Sequence, residues 1–168
     1  MINDNFLRLS ENQGPVDSAG SASYPSGNGG VAYSANYIDL QNNRDIGDGS
    51  DMECQLYCTQ ALSTDQTWGV LVMVGATPYA VSGTTVASFG YIGGASSAYN
   101  AAKKLAVSDR LVCSISPLTF SLGERYLYVH FINHAITTSI AGKFTIDICQ
   151  TTETTSGSLH YPGGFSVR

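Results

Sequence analysis

The residues of this 168-residue chain best suited to chemistry are four cysteines and three histidines. Cys54 and Cys58 stand at i, i+4 inside MECQLYCT, where apolar and polar residues alternate. Four residues along a strand is about 13 Å, too far for two ligands of one zinc ion and beyond the roughly 7 Å limit for a disulfide. They read as two small core residues on one face. Cys113 shares an apolar parity with Leu111 and Ile115, whereas Cys149 falls on the polar parity of its strand and reads as the most exposed thiol. His130, His134 and His160 lack a ligand spacing such as H-E-x-x-H. They read as a half-exposed strand histidine and two loop histidines. A site joining one of them to a remote carboxylate is the alternative.

Asp45, Asp48 and Asp51 crowd one turn, but the D-x-[DN]-x-[DN]-G order ending in a ligating Glu is missing. They read as turn caps, with calcium as the rival. No serine stands in a G-x-S-x-G elbow, and Gly90-Tyr91-Ile92-Gly93-Gly94 lacks the Lys-Ser/Thr of a phosphate loop. Arg44 beside Asp45 reads as an ion pair or contact point. No catalytic residue, metal or cofactor is expected from these patterns.

The elements that must position these residues are strands. Met52, Cys54, Leu56 and Cys58 share one parity and Glu53, Gln55, Tyr57 and Thr59 the other, the pattern of a half-buried strand. Leu127, Val129 and Phe131 oppose Tyr126, Tyr128 and His130 in the same way, as Phe144, Ile146 and Ile148 oppose Lys143, Thr145 and Asp147. Strands are expected at 37–40, 52–60, 68–75, 84–89, 111–115, 126–133 and 143–150, with turns at Gly75 to Pro78, Ser82-Gly83, Gly93-Gly94, Leu122 to Glu124 and Ala141-Gly142. Ser96 to Ala106 has helical propensity, but its irregular apolar spacing suits a loop as well. Short strands joined by turns indicate one all-β domain over 1–168, a jelly roll or β-sandwich of about eight antiparallel strands. Residues 1–13 read as an N-terminal arm, 14–35 as a Gly/Ser/Tyr-rich inserted loop, and 36–168 as the β core.

Only 12% of residues are charged, against about 25% in an average protein. A surface covered by Ser, Thr, Asn, Gln and Gly is easier to bury in a partner, because few ions lose their water. The net charge of -5 argues against nucleic acid, which requires a basic footprint. The apolar run Trp68 to Ala76 is too short to span a membrane, and MINDNFLRLSENQ lacks the cationic start and apolar run of an export signal. Reduced, buried thiols follow as the expectation. Tyrosine is abundant, ten residues against one tryptophan, and Tyr24, Tyr33, Tyr37, Tyr91, Tyr99 and Tyr161 fall in loops or at strand ends. Tyrosine suits protein interfaces and sugar-binding surfaces, and equally serves to anchor loops on their own core.

An ordered set of motifs adds a resemblance. Met1-Ile2-Asn3-Asp4 and Leu9-Ser10-Glu11-Asn12-Gln13 lead to Asn36-Tyr37-Ile38-Asp39-Leu40 and Arg44-Asp45-Ile46-Gly47-Asp48-Gly49. Glu124-Arg125-Tyr126-Leu127-Tyr128-Val129, Ala141-Gly142-Lys143-Phe144-Thr145 and Tyr161-Pro162-Gly163-Gly164-Phe165 follow. This order resembles the small cement (decoration) proteins of short-tailed phage heads, of the Bordetella-phage type, from end to end apart from residues 14–35. The resemblance implies a jelly-roll subunit, a homotrimer, and seating on the outer surface of a virion assembled in the host cytoplasm. There it would bridge copies of the major capsid protein, without catalysis, nucleic acid or membrane. Candidate trimer or capsid contacts are Met1, Ile2, Phe6, Leu7, Arg8 and Leu9 of the arm, Tyr24 and Tyr33 of the insertion, and Arg44 and Asp45 of the turn. The arm is expected to add a strand to an exposed sheet edge of its partner. Two other classes stand beside this one: a carbohydrate-binding β-sandwich on a virion, and a hydrolase whose site combines His130 or His160 with a remote acid.

Overall fold

Alternation at period two is realised as strand throughout the computed structural model, which describes residues 8–13, 31–40, 52–62, 66–80, 82–94, 102–115, 123–133 and 141–150. Among these, ten strands follow one another: β1 (Arg8–Gln13), β2 (Val31–Tyr33), β3 (Ile38–Asp39), β4 (Met52–Gln60), β5 (Thr67–Gly75), β6 (Thr84–Gly93), β7 (Lys103–Lys104), β8 (Arg110–Ser114), β9 (Tyr126–Asn133) and β10 (Lys143–Gln150). The protein is an all-β sandwich. One sheet has the order β1-β10-β4-β8; the other has the order β2-β9-β5-β6-β7, with β3 also paired to β9. All pairings are antiparallel except β6–β7.

Parity decides what fills the space between the sheets. Met52, Cys54, Leu56 and Cys58 of β4 and Phe144, Ile146 and Ile148 of β10 meet Leu127, Val129 and Phe131 of β9 in one core. The central strand β5 is apolar on both parities because both its faces are covered. Trp68, Val70, Val72 and Val74 enter the main core, whereas Met73 packs in a second cluster on the far side of the sheet, with Leu71 against it. In β6 the register slips by one residue between Val70 and Leu71 of its neighbour, at Gly90 with φ 76°, a left-handed bulge position that suits glycine. The sheet ends at β7, where Lys103 and Lys104 place charge on a two-residue edge strand, a common guard against edge-to-edge pairing.

Three expectations are corrected here. The arm is not free over 1–13. Residues 8–13 are strand β1 of the chain's own sheet, with Arg8 opposite Asp147, Ser10 opposite Ile146 and Gln13 opposite Phe144. Leu9 is fully buried in the main core, and its carbonyl accepts a hydrogen bond from the Asn36 amide at 3.1 Å. Strand addition by this segment is therefore intramolecular. The inserted loop, expected through residue 35, ends earlier, because Val31–Tyr33 pairs with Ile132, Phe131 and His130. Between β2 and β3 the fully buried Ser34 stitches the edge. Its amide donates to the Val129 carbonyl (3.0 Å), its hydroxyl donates to the Asn36 carbonyl (2.7 Å), and its Oγ accepts from the Val129 amide (2.9 Å). In the span read as helical or loop, the described residues 102–106 carry β7 and no helix.

Candidate functional site

The feature that best qualifies as a site is an aromatic face on the outside of the second sheet. Even parity in β9 turns Tyr126, Tyr128 and His130 away from the main core. Register then brings Tyr33 opposite His130, and the segment between β2 and β3 adds Tyr37. Tyr79 comes from the turn after β5. The rings form a continuous network. Tyr33 stacks on His130 at 5.0 Å between centroids and meets Tyr79 at 5.4 Å and Tyr128 at 6.0 Å. Tyr79 lies 5.8 Å from both Tyr128 and Tyr37, and Tyr37 lies 5.5 Å from Tyr126. Four of these contacts are edge-to-face, an arrangement that adds roughly 0.5–1.5 kcal/mol per pair beyond buried area.

Two hydroxyls clamp the 76–80 turn onto this face. Tyr79 Oη donates to the Ala35 carbonyl at 3.1 Å, and Tyr128 Oη donates to the Ala80 carbonyl. Tyr79 itself sits at φ 62°, an unusual conformation for a bulky residue. Space around the Tyr128 hydroxyl is kept by glycine. A Cβ on Gly83 would stand 2.5 Å from Tyr128 Oη and 2.6 Å from the Val74 carbonyl oxygen, and one on Gly75 would stand 2.9 Å from Ala80 Cβ. Burial pushes the Tyr33 and Tyr79 phenols up and, with Tyr33 and Glu124 nearby, takes Tyr128 to about 12. These three rings are neutral at physiological pH.

At the margin Arg125 grips the Asp39 carboxylate with a two-pronged fork, Nε at 2.8 Å from Oδ1 and Nη2 on Oδ2. The Arg125 guanidinium also lies 4.7 Å from the Tyr126 ring centroid. The exposed pair adds little to stability, but it fixes the guanidinium plane against the ring. The exposed Tyr37, with 44% of its surface in solvent, stands highest on this face. To a partner the arrangement offers the exposed Tyr37, the half-buried Tyr79 and Tyr126 and one self-neutralised ion pair, all laid over a buried layer of Tyr33, Tyr128 and His130. Among the described residues no group of three His, Cys, Asp or Glu is placed to hold a metal ion.

No family model and no curated protein matches this chain.

The contacts expected from sequence are not brought to one place. Tyr33 belongs to the aromatic face. Arg8 lies on the other sheet, bonded to Asp147 at 2.8 Å and Glu11 at 2.9 Å. Leu9 is internal and offers no surface to a partner. Met1, Ile2, Phe6, Leu7, Tyr24, Arg44 and Asp45 lie outside the described residues, as do His134 and His160. Two exposure readings are corrected. His130 is buried rather than half-exposed, wedged between Tyr33 and Met73, with Nδ1 3.0 Å from Met73 Sδ; burial lowers its pKa. Cys149 is buried too, 2% exposed, its thiol turned to the Glu53 carbonyl and Gln55 Oε1 beneath the covered outer side of β4 and β10. Tyr79, Tyr126 and Tyr128 were missed as site residues. The shared parity of Tyr126, Tyr128 and His130 was the available signal, but only strand pairing joins it to Tyr33 and Tyr37.

Proposed function

We propose that the chain is a structural virion protein that sits on the outside of a phage head as a homotrimer and stabilises the lattice of the major capsid protein. Its main support is the outer rim of the tyrosine cluster, where Tyr37 is exposed and Tyr79 and Tyr126 are half-buried over a buried layer of Tyr33 and Tyr128, so that apolar area is offered with few charges to strip of water. The ordered motifs support it from the sequence side. The strand order does so from the fold side: β1 pairs with β10, β2 and β3 with β9, β4 with β8, and β5 with β6. The chain thus pairs with itself as one long hairpin, and the β10–β4 and β9–β5 pairs roll it into two sheets. We read this as the jelly roll that the resemblance implies.

Mechanistically, a protein that binds only the expanded lattice stabilises that lattice by mass action, and three linked copies raise the effect through effective concentration. The test pairs solution mass with binding to purified heads. A trimer that saturates expanded heads and leaves unexpanded heads bare is the expected result, with Tyr37→Glu cutting occupancy at least tenfold while the variant stays folded and melts only the few degrees lower that two lost ring contacts imply. A monomer, or equal binding to both head forms, overturns the proposal.

A second function is favoured by one observation. Tyr37 is the exposed ring of the cluster, and the Arg125–Asp39 pair lies against its neighbour Tyr126, so a sugar ring can stack on Tyr37 while its hydroxyls meet ions. Saturable binding of the isolated chain on a glycan array, lost in Tyr37→Ala, would favour carbohydrate recognition over capsid binding.

A further inference from the structure

The four cysteines include one pair that can react. Cys113 on the edge strand β8 stands directly opposite Cys54 on β4. The Ile115 amide donates to the Met52 carbonyl at 2.9 Å, and hydrogen-bonded pairs recur at every second position of an antiparallel ladder. Cys54 and Cys113, two positions on, therefore form a hydrogen-bonded pair, whose Cα atoms stand about 5.5 Å apart. That lies inside the roughly 4.4–6.8 Å range of a disulfide. Both side chains face the main core, and their thiols hydrogen-bond each other. All four cysteines are free thiols in the structure. Neither of the other two competes. Cys58 lies about 13 Å along β4 from Cys54, and Cys149 is on the opposite face of the sheet, held against Glu53 and Gln55.

We propose that Cys54 and Cys113 are a redox site at which hydrogen peroxide forms a cross-strand disulfide, stapling the edge strand β8 to β4. Access sets the order of events. Cys113 is partly exposed and Cys54 fully buried, so peroxide meets Cys113 first. The same thiol is the better nucleophile. The hydrogen bond from Cys54 lowers its pKa and Lys103 adds to the effect, while Cys54 is held high by that bond and by burial. The Cys113 sulfur attacks one peroxide oxygen, the O–O bond breaks, and sulfenic acid and one water form. The Cys54 sulfur then attacks the Cys113 sulfur, the S–O bond breaks, and a second water leaves. Two thiols and one peroxide give one disulfide and two waters; each sulfur loses one electron and the peroxide gains two. A disulfide across a hydrogen-bonded pair is torsionally strained, which makes it easy to reduce and suits a reversible bond. The inference stands apart from the virion role.

The test treats the full chain, reduced and freed of reductant, with a slight excess of hydrogen peroxide at neutral pH, followed by thiol blocking and peptide mass mapping. The expected result is an intramolecular link between the Cys54 and Cys113 peptides, with the mass of two hydrogens lost and Cys58 and Cys149 still blockable after unfolding. Cys149→Ser leaves the link intact. Cys113→Ser, a near-isosteric change at a partly exposed edge position, abolishes it, and dithiothreitol reopens the wild-type link without denaturant. Four free thiols after treatment, Cys113 oxidised to sulfinic acid with Cys54 still free, or a link through any other cysteine overturns the proposal.

Discussion

Leu9→Ala separates a strand from an arm. Leu9 is fully buried on β1, and its side chain belongs to the same core as Phe144 and Ile146 of the neighbouring β10. Truncation to alanine removes the transfer energy of the side chain and leaves a cavity, together about 3 kcal/mol within an observed span of roughly 2–5. At a slope of about 2 kcal/mol/M, the urea midpoint falls by ~1.5 M with the slope unchanged. Deleting residues 1–13 must cost more, because it also uncovers the β10 edge and breaks the Arg8–Asp147 bond at 2.8 Å. Deleting residues 1–7 keeps β1 and this core contact. The assay is urea unfolding followed by tryptophan fluorescence, since Trp68 is buried in the same core. Protomer concentration is held fixed so that association does not shift the midpoint. A loss below about 0.5 kcal/mol for Leu9→Ala, the range of surface substitutions, would refute the assignment of this strand to the core.

Three other outcomes are expected. Ser34→Ala strips the buried Val129 amide of its acceptor and lowers stability by roughly 1–3 kcal/mol in the same assay. Gly83→Ala drives a Cβ against Tyr128 Oη and the Val74 carbonyl; overpacking costs about 1–3 kcal/mol, and Tyr128→Phe in that background restores only part of it, because the backbone contact stays. Burial lowers the pKa of His130, whose Nε2 has no hydrogen-bond partner among the described residues. The unfolded chain then binds the proton more readily, so stability is complete above the ordinary value of about 6.5 and falls as pH drops below it. Urea midpoints between pH 7 and 5 should decline more steeply in the wild type than in His130→Gln.

Long strands were legible because their periodicity is local. Met52–Gln60, Tyr126–Asn133 and Lys143–Gln150 occupy the spans that alternation marks. Arg8–Gln13 was not, since RLSENQ has a single apolar residue and becomes a strand only through β10, far along the chain. Val31–Tyr33 is three residues at the end of a glycine-rich run and owes its state to β9. Parity told correctly that Cys149 and His130 point away from the main core, but an outer face is not the same as solvent. Gln55 and Glu53 cover one, and Tyr33 and Met73 the other. The aromatic face has the same status. Its β9 half lies in the sequence pattern, whereas its junction with Tyr33, Tyr37 and Tyr79 is a product of topology.

The pairing of the first described strand, β1, with the last, β10, carries a kinetic consequence. Arg8 and Asp147 are bonded across 139 positions of sequence. At a ribosomal rate of roughly 5–20 residues per second, the first strand waits about 7–28 s before its partner has been made. Contacts this distant also give a high contact order, which slows folding even after synthesis is complete. For that interval Leu9 is uncovered on the nascent chain, with Phe6 and Leu7 close before it in sequence. Newly made copies thus have a built-in window for strand exchange with one another. The short, polar composition of Arg8–Gln13, with Arg8 and Glu11 on either side of Leu9 and Ser10, suits a segment that must stay unpaired that long.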